Sequence, residues 1–173
     1  MASDAKSANF GELYAAYAKD VYRFSLYLSG DAALAQDLTA ETFLRVWIAE
    51  QPVNLGCVKA WLFVIARNLY RHELRHIRRK LPLNEQIAEA ASVTANAEMR
   101  QQLERVCRSL AALPEVDRSA VLLRVEGVSY LEIAGLLQIS VASAKVKVHR
   151  ARLHLAKENP GGIGHEYLAK RHS

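Results

Sequence analysis

The chain has 173 residues, enough for one ordinary domain or two small ones, and its 51% hydrophobic content excludes a disordered tail. Its 23 Lys and Arg exceed its 18 Asp and Glu, giving a net charge of +5 and a pI near 9.3, a balance that suits a polyanionic partner. The longest strongly apolar run, 60–66, is far too short for a membrane span, and the polar start at 1–9 has no apolar signal core. A cytoplasmic protein is expected, with Cys57 and Cys107 as isolated, inert thiols lacking any metal-ligand spacing.

Taken in chain order, nearly everything is predicted to be helical. Phe10, Leu13, Tyr14, Tyr17, Val21, Phe24 and Leu28 keep a three-four spacing that ends at Gly30. Asp31 then caps a second helix with Leu34, Leu38, Phe43 (or Leu44) and Trp47 inward, which stops before Pro52. Residues 51–57 read as a loop and 59–79 as a third long helix. The stretch 81–97 holds Pro82, Asn84 and many small residues but no Lys or Arg, the composition of an inter-domain linker. A second domain follows over 98–158, with Leu103, Val106 and Leu110 on one face of its first helix. Pro114 is placed at the first position of the next helix and Gly127 closes it. Asn159-Pro160-Gly161-Gly162 stops the last helix, and the tail 159–173 carries no readable signal. The fold class is all-α, two small helical domains over 8–80 and 98–158.

Two segments, 67–80 and 145–157, hold eleven of the 23 Lys and Arg residues, and each belongs to a distinct kind of surface. On a helical wheel of the third helix with Arg67 at zero, Arg71, Arg75 and Arg78 fall within about 80° and Arg79 lies near about 120°. Leu62, Ala66, Leu69, Tyr70 and Ile77 take the other half. Only Glu73 is available within the helix to offset this charge, so a phosphate backbone would relieve the repulsion. Asn68, His72 and Trp61 flank the basic face and suit unpaired bases, although a core role for Trp61 fits equally well. Leading into the second segment, Ser129 with Glu132 makes a capping box and Ser140 caps the helix after it. Ile133, Ala134, Leu136, Leu137, Val141, Ala144 and Val148 face inward; Lys145, Lys147, Arg150 and Arg152 lie nearer solvent. That is a helix-turn-helix whose second helix suits a DNA major groove.

One competing motif is His72-Glu73-Leu74-Arg75-His76, a literal H-E-x-x-H of the kind that holds zinc in metalloproteases. Arg71, Arg75, Arg78 and Arg79 oppose a dication there, and the acidic candidates for a third ligand, Glu85, Glu89 and Glu98, fall in or beside the linker. No metal, no cofactor and no catalytic residues are expected. A self-sufficient helix-turn-helix regulator remains the alternative of a different kind, and a zinc hydrolase the remote one.

The blocks Asp37-Leu38-Thr39-Ala40-Glu41-Thr42-Phe43-Leu44-Arg45-Val46-Trp47 and Ala60-Trp61-Leu62-Phe63-Val64-Ile65-Ala66-Arg67-Asn68-Leu69, together with 113–152, resemble the extracytoplasmic-function (ECF) sigma factors of bacterial RNA polymerase. The resemblance implies sigma regions 2 and 4 joined by a linker, and a promoter-specific initiation factor that is not an enzyme. It implies docking on core RNA polymerase through Asp37, Glu41, Phe43, Leu44 and Arg45. Recognition of the minus-ten element as it melts falls on the loop from Asn54 to Lys59 and on Trp61, Arg67, Asn68, Arg71, His72 and Arg75. Duplex reading of the minus-thirty-five element falls on Ser143, Lys145, Val146, Lys147, His149 and Arg150. The remaining implied partners are promoter DNA and an anti-sigma factor, often membrane-anchored. The sequence departs from the family pattern at Ala40, which stands for Gln, at Ala142, which stands for Gly, and at Gln138, which stands for the turn Gly. Val146 replaces a Ser or Thr, offering contact to a thymine methyl instead of a hydrogen bond.

Overall fold

The computed structural model describes residues 2–49, 58–80 and 97–158. Among them are seven α-helices and no strand: α1 (Ala2–Ser29), α2 (Ala32–Ile48), α3 (Val58–Lys80), α4 (Ala97–Ala111), α5 (Glu115–Val125), α6 (Tyr130–Leu137) and α7 (Val141–Glu158). The expected loop 51–57, including Asn54 and Cys57, the tail 159–173 and all of the expected linker 81–97 except Ala97, the first residue of α4, lie outside the described residues. The described chain divides into two compact units, one holding α1 through Leu26 with α2 and α3, the other holding α4 to α7 and the Tyr27–Asp31 turn.

In the first unit α1 begins eight residues earlier than the apolar spacing predicts. Residues 2–9 include Ala2, Ala5, Lys6 and Ala8, good helix formers that carry no apolar face, so periodicity is silent where propensity is not. Gly30 ends α1 with φ +74, a left-handed conformation that costs glycine nothing. The core is built on Val21 and Phe24 from α1, Ala35, Leu38 and Phe43 from α2, and Leu62, Phe63 and Ala66 from α3, all nearly or fully buried. Phe24 and Phe63 stack with ring centroids 4.5 Å apart and planes 15° from parallel. Thr39 and Thr42 are buried too, and each hydroxyl donates to a carbonyl one turn back, Ala35 at 2.7 Å and Leu38 at 2.6 Å, so neither burial leaves an orphaned polar group.

The open choice between Phe43 and Leu44 resolves on Phe43, which is 2% exposed against 48% for Leu44. Trp47 does not face inward as expected: it is 37% exposed and touches Phe10 edge-on at 5.0 Å. Tyr14 is likewise half-exposed, with its ring 4.9 Å from Phe43. An aromatic group large enough to reach the core from the rim satisfies the apolar spacing without entering it.

The second unit is organised around α5. Its residues Asp117, Arg118, Ser119, Ala120, Val121, Leu122 and Leu123 are all buried, in a helix only 11 residues long. Pro114 sits one position earlier than expected, as the extended N-cap (φ −52, ψ 144) with Glu115 as the first helical residue. α5 ends in a Schellman turn: the Val128 N–H donates to the Leu123 carbonyl, the Gly127 N–H to Arg124, and Gly127 carries φ +93. The same two-bond pattern ends α6, where the Ile139 N–H donates to Ala134 and the Gln138 N–H to Gly135. There Gln138 takes the left-handed conformation (φ 56, ψ 47), among the described residues the only non-glycine with positive φ. The capping box forms as expected, Glu132 N–H to Ser129 Oγ at 3.2 Å and Ser129 N–H to Glu132 Oε2 at 2.9 Å. Ser140 Oγ accepts from the Ser143 N–H at 3.1 Å and starts α7.

Candidate nucleic-acid interface

In the first unit the surface of α3 carries Asn68, Arg71, His72 and Arg75, with Trp61 half-buried beside them. Asn68, Arg71 and His72 are at least partly open to solvent, and Arg75 is exposed. Arg67 does not belong to this face: it is 4% exposed. At 100° per residue Ala60 lies about 20° and Phe63 about 40° from Arg67, and both are buried, so Arg67 marks the edge of the apolar arc. The solvent-facing arc is centred about 90° further round, on Asn68 and Arg75. The basic face is therefore real but narrower than the wheel predicts. Lys59 is not a free cation either. Its Nζ lies 2.8 Å from Asp20 Oδ2 and 5.7 Å from the Phe63 ring centroid, and Arg23 reaches Asp20 Oδ1 at 3.0 Å. Burial raises the Asp20 pKa, but the two cations more than offset it, and the carboxyl stays below its ordinary value.

The H-E-x-x-H segment leaves His72 and His76 exposed, and no cluster of three His, Cys, Asp or Glu side chains suited to a metal exists among the described residues.

On α2 the residues Asp37, Glu41, Leu44, Arg45 and Ile48 fall within a stripe about 100° wide. Glu41 and Arg45 pair across one turn at 3.0 Å, while Leu44 and Ile48 are 48% and 65% exposed. Phe43, expected on this docking face, points about 100° away from the stripe into the core. Sequence reasoning misses Ile48 and Trp47 as surface groups because apolar residues at helical spacing read as core.

In the second unit α7 turns Ala144, Val148 and Ala151 into the core, leaving Lys145, Val146, His149 and Arg150 exposed on the other side. Val146 is 53% exposed, a β-branched apolar side chain held out between cations. Ser143 is half-buried, its backbone engaged in the α7 cap. Lys147 departs most from expectation. It sits only about 60° from Ala144 on the wheel, on the flank towards α5, and its Nζ lies 2.9 Å from Asp117 Oδ1. Arg150 reaches the other oxygen of the same carboxylate at 3.5 Å while its side chain stays 61% exposed. Lys145 lies 6.0 Å from the Tyr130 ring centroid, and the Arg124 guanidinium lies 4.9 Å from it, so α6 and α7 are tied by a cation–π pair at their exposed edge. Nothing in the local sequence around 147 announces Asp117, which is thirty residues away.

Residues 13–80 match the family model for sigma-70 region 2, and residues 103–155 match that for sigma-70 region 4. The chain is 30% identical over 159 residues to the ECF RNA polymerase sigma factor SigM of Bacillus subtilis, covering 90% of this chain and 98% of that protein. It is 32% identical over 173 residues to SigE of Mycolicibacterium smegmatis, covering 95% of this chain and 63% of that longer protein. Two solved structures share the fold. The sigma factor RpoE of Bartonella quintana, in complex with the anti-sigma factor NepR, has a TM-score of 0.69 at 24% identity, over 87% of this chain and 96% of that one. CnrH in complex with the cytosolic domain of CnrY has a TM-score of 0.62 at 23% identity, over 90% and 92%.

Proposed function

Because the chain belongs to the ECF RNA polymerase sigma factors, we propose that it divides promoter recognition between its two units, region 2 over 8–80 and region 4 over 98–158, joined by a linker at 81–97. The observation that carries this reading is the pair of exposed cationic helix faces, one on each unit, standing on otherwise packed helices. Asn68, Arg71, His72 and Arg75, with Trp61 at their edge, offer stacking and hydrogen-bonding groups to bases unpaired at the minus-ten element. Lys145, Val146, His149 and Arg150 present a narrow ridge suited to the major groove of the intact minus-thirty-five duplex, where Arg150 can take a guanine bidentately. Phosphate contact from these cations supplies affinity without sequence information.

The α2 stripe of Asp37, Glu41, Leu44, Arg45 and Ile48 is assigned to core RNA polymerase. Its exposed apolar groups favour this over a self-sufficient regulator, which has no use for such a stripe. Phe43 and Arg67 act from inside the first unit by holding α2 and α3 in place. No described helix is long and apolar enough to cross a membrane, and the chain is assigned to the cytoplasm, where its polymerase works. It is not an enzyme. Its fold-mates RpoE and CnrH were solved with NepR and with the cytosolic domain of CnrY, and an anti-sigma factor is the proposed partner in the inactive state.

Run-off transcription with core polymerase on a library of genomic fragments tests this. Discrete start sites sharing two spaced elements are expected, and their loss with Arg71→Ala plus Arg75→Ala. A Glu41→Ala, Arg45→Ala protein that initiates normally would refute the docking assignment.

A further inference from the structure

Helix α7 carries more positive charge than it presents. Of its cations, Lys147 and Arg150 converge on a single carboxylate, Asp117, whose side chain is 5% exposed on α5. The two contacts use separate oxygens, Oδ1 for Lys147 and Oδ2 for Arg150. They are also unequal. Lys147 is close and largely covered, at 2.9 Å and 22% exposed. Arg150 is longer and open, at 3.5 Å and 61% exposed. A buried carboxylate holds a neighbouring ammonium tightly, because an uncompensated buried charge is costly. A guanidinium touched by one nitrogen keeps the rest of its donor fork for another acceptor.

We propose that Asp117 is a positioning residue for promoter reading: it withdraws Lys147 from the phosphate backbone and aims the guanidinium of Arg150 at the groove. This rests on the assignment of α7 to the minus-thirty-five element. The carboxylate thereby lowers non-specific affinity, which scales with phosphates neutralised, while leaving the base-reading contact in place. The ratio of specific to non-specific binding rises, and this ratio, more than affinity, decides where a polymerase initiates.

The test uses reconstituted holoenzyme on a promoter found by the run-off library, with the minus-thirty-five element intact or scrambled, across a range of salt. Asp117→Asn keeps the shape and removes the charge. It is expected to steepen the log affinity against log salt slope by about 0.9, one additional phosphate contact, and to narrow the preference for the intact element. Lys147→Gln alone should leave the slope unchanged, since Lys147 is already occupied. Added to the Asp117→Asn variant, the same change should restore the original slope. Thermal unfolding of each variant controls for folding. Slopes that change by the same amount when Lys147 is replaced in either background would overturn the proposal, because Lys147 would then contact phosphate regardless of Asp117. An Asp117→Asn protein with a lower melting temperature but unaltered slope and preference would make the carboxylate merely structural, and would also overturn it. Failure of the wild-type holoenzyme to initiate anywhere would instead remove the sigma-factor reading, and this inference with it.

Discussion

Replacing Gln138 with glycine should stabilise the second unit. At φ 56, ψ 47 the residue occupies the left-handed region, where a Cβ crowds the following carbonyl at a cost of roughly 1–2 kcal/mol. Its side chain is exposed, and the two backbone hydrogen bonds that close the turn come from main-chain N–H groups that the substitution keeps. Glycine gives back part of the gain through the greater freedom of its unfolded chain, roughly 0.5–1 kcal/mol. The net expectation for Gln138→Gly is therefore about 0.5–1 kcal/mol of stabilisation. For a unit of this size that amounts to a rise of about 4 °C in melting temperature. The companion variant is Gly127→Ala at the matching turn of α5, where φ is +93. It should move the opposite way, losing about 1 kcal/mol or more. Thermal unfolding of the full chain followed by circular dichroism reads both. A Gln138→Gly protein that melts no higher than wild type, beside a Gly127→Ala protein that melts lower, would refute the strain argument at residue 138.

The stacked pair in the first unit should be costly to break: Phe24→Ala is expected to lose about 3–5 kcal/mol, measured by denaturant unfolding, with the folded fraction falling accordingly. Asp20 has a folded pKa below its unfolded value, so its stabilising effect is present above the ordinary carboxylate pKa and is lost as pH falls through about 4 and below. Asp20→Asn should remove that part of the acid sensitivity, seen as a flatter melting-temperature profile in that window. Burial, helped by the charge of Glu104, pushes the Cys107 thiol up to about 11. In a Cys57→Ser background a disulfide-exchange reagent should label native protein near about pH 8 far more slowly than unfolded protein; equal rates would contradict the burial.

The elements that rest on local chemistry are legible in the sequence. The capping box at Ser129 and Glu132, the Ser140 cap and the glycine ends at Gly30 and Gly127 all depend on residues within a few positions of one another, and each forms where the residue types place it. Faces are legible only to the precision of the wheel. Arg67 falls on the wrong side when charge alone marks solvent, whereas its neighbours Ala60 and Phe63 decide the boundary. Phe43 packs inward while Leu44 and Trp47 stay exposed for a related reason: spacing says that an apolar residue shares a face, not whether anything packs on it. The partnership of Lys147 with Asp117 is not legible at all. It exists because α5 and α7 pack together, and no periodicity within either helix encodes that juxtaposition.

The seven consecutive buried residues of α5 bear on how this protein can be cut and recombined. A helix covered on every side is a shared wall, and α7, the helix proposed to read the promoter, leans on it through both its apolar face and its ion pairs. A peptide spanning α6 and α7 alone would lack that wall and should not hold its shape. Chimaeras that exchange promoter preference between relatives are therefore better joined before α5 than at the turn preceding α7, so that the transplanted helix arrives with the surface that shaped it.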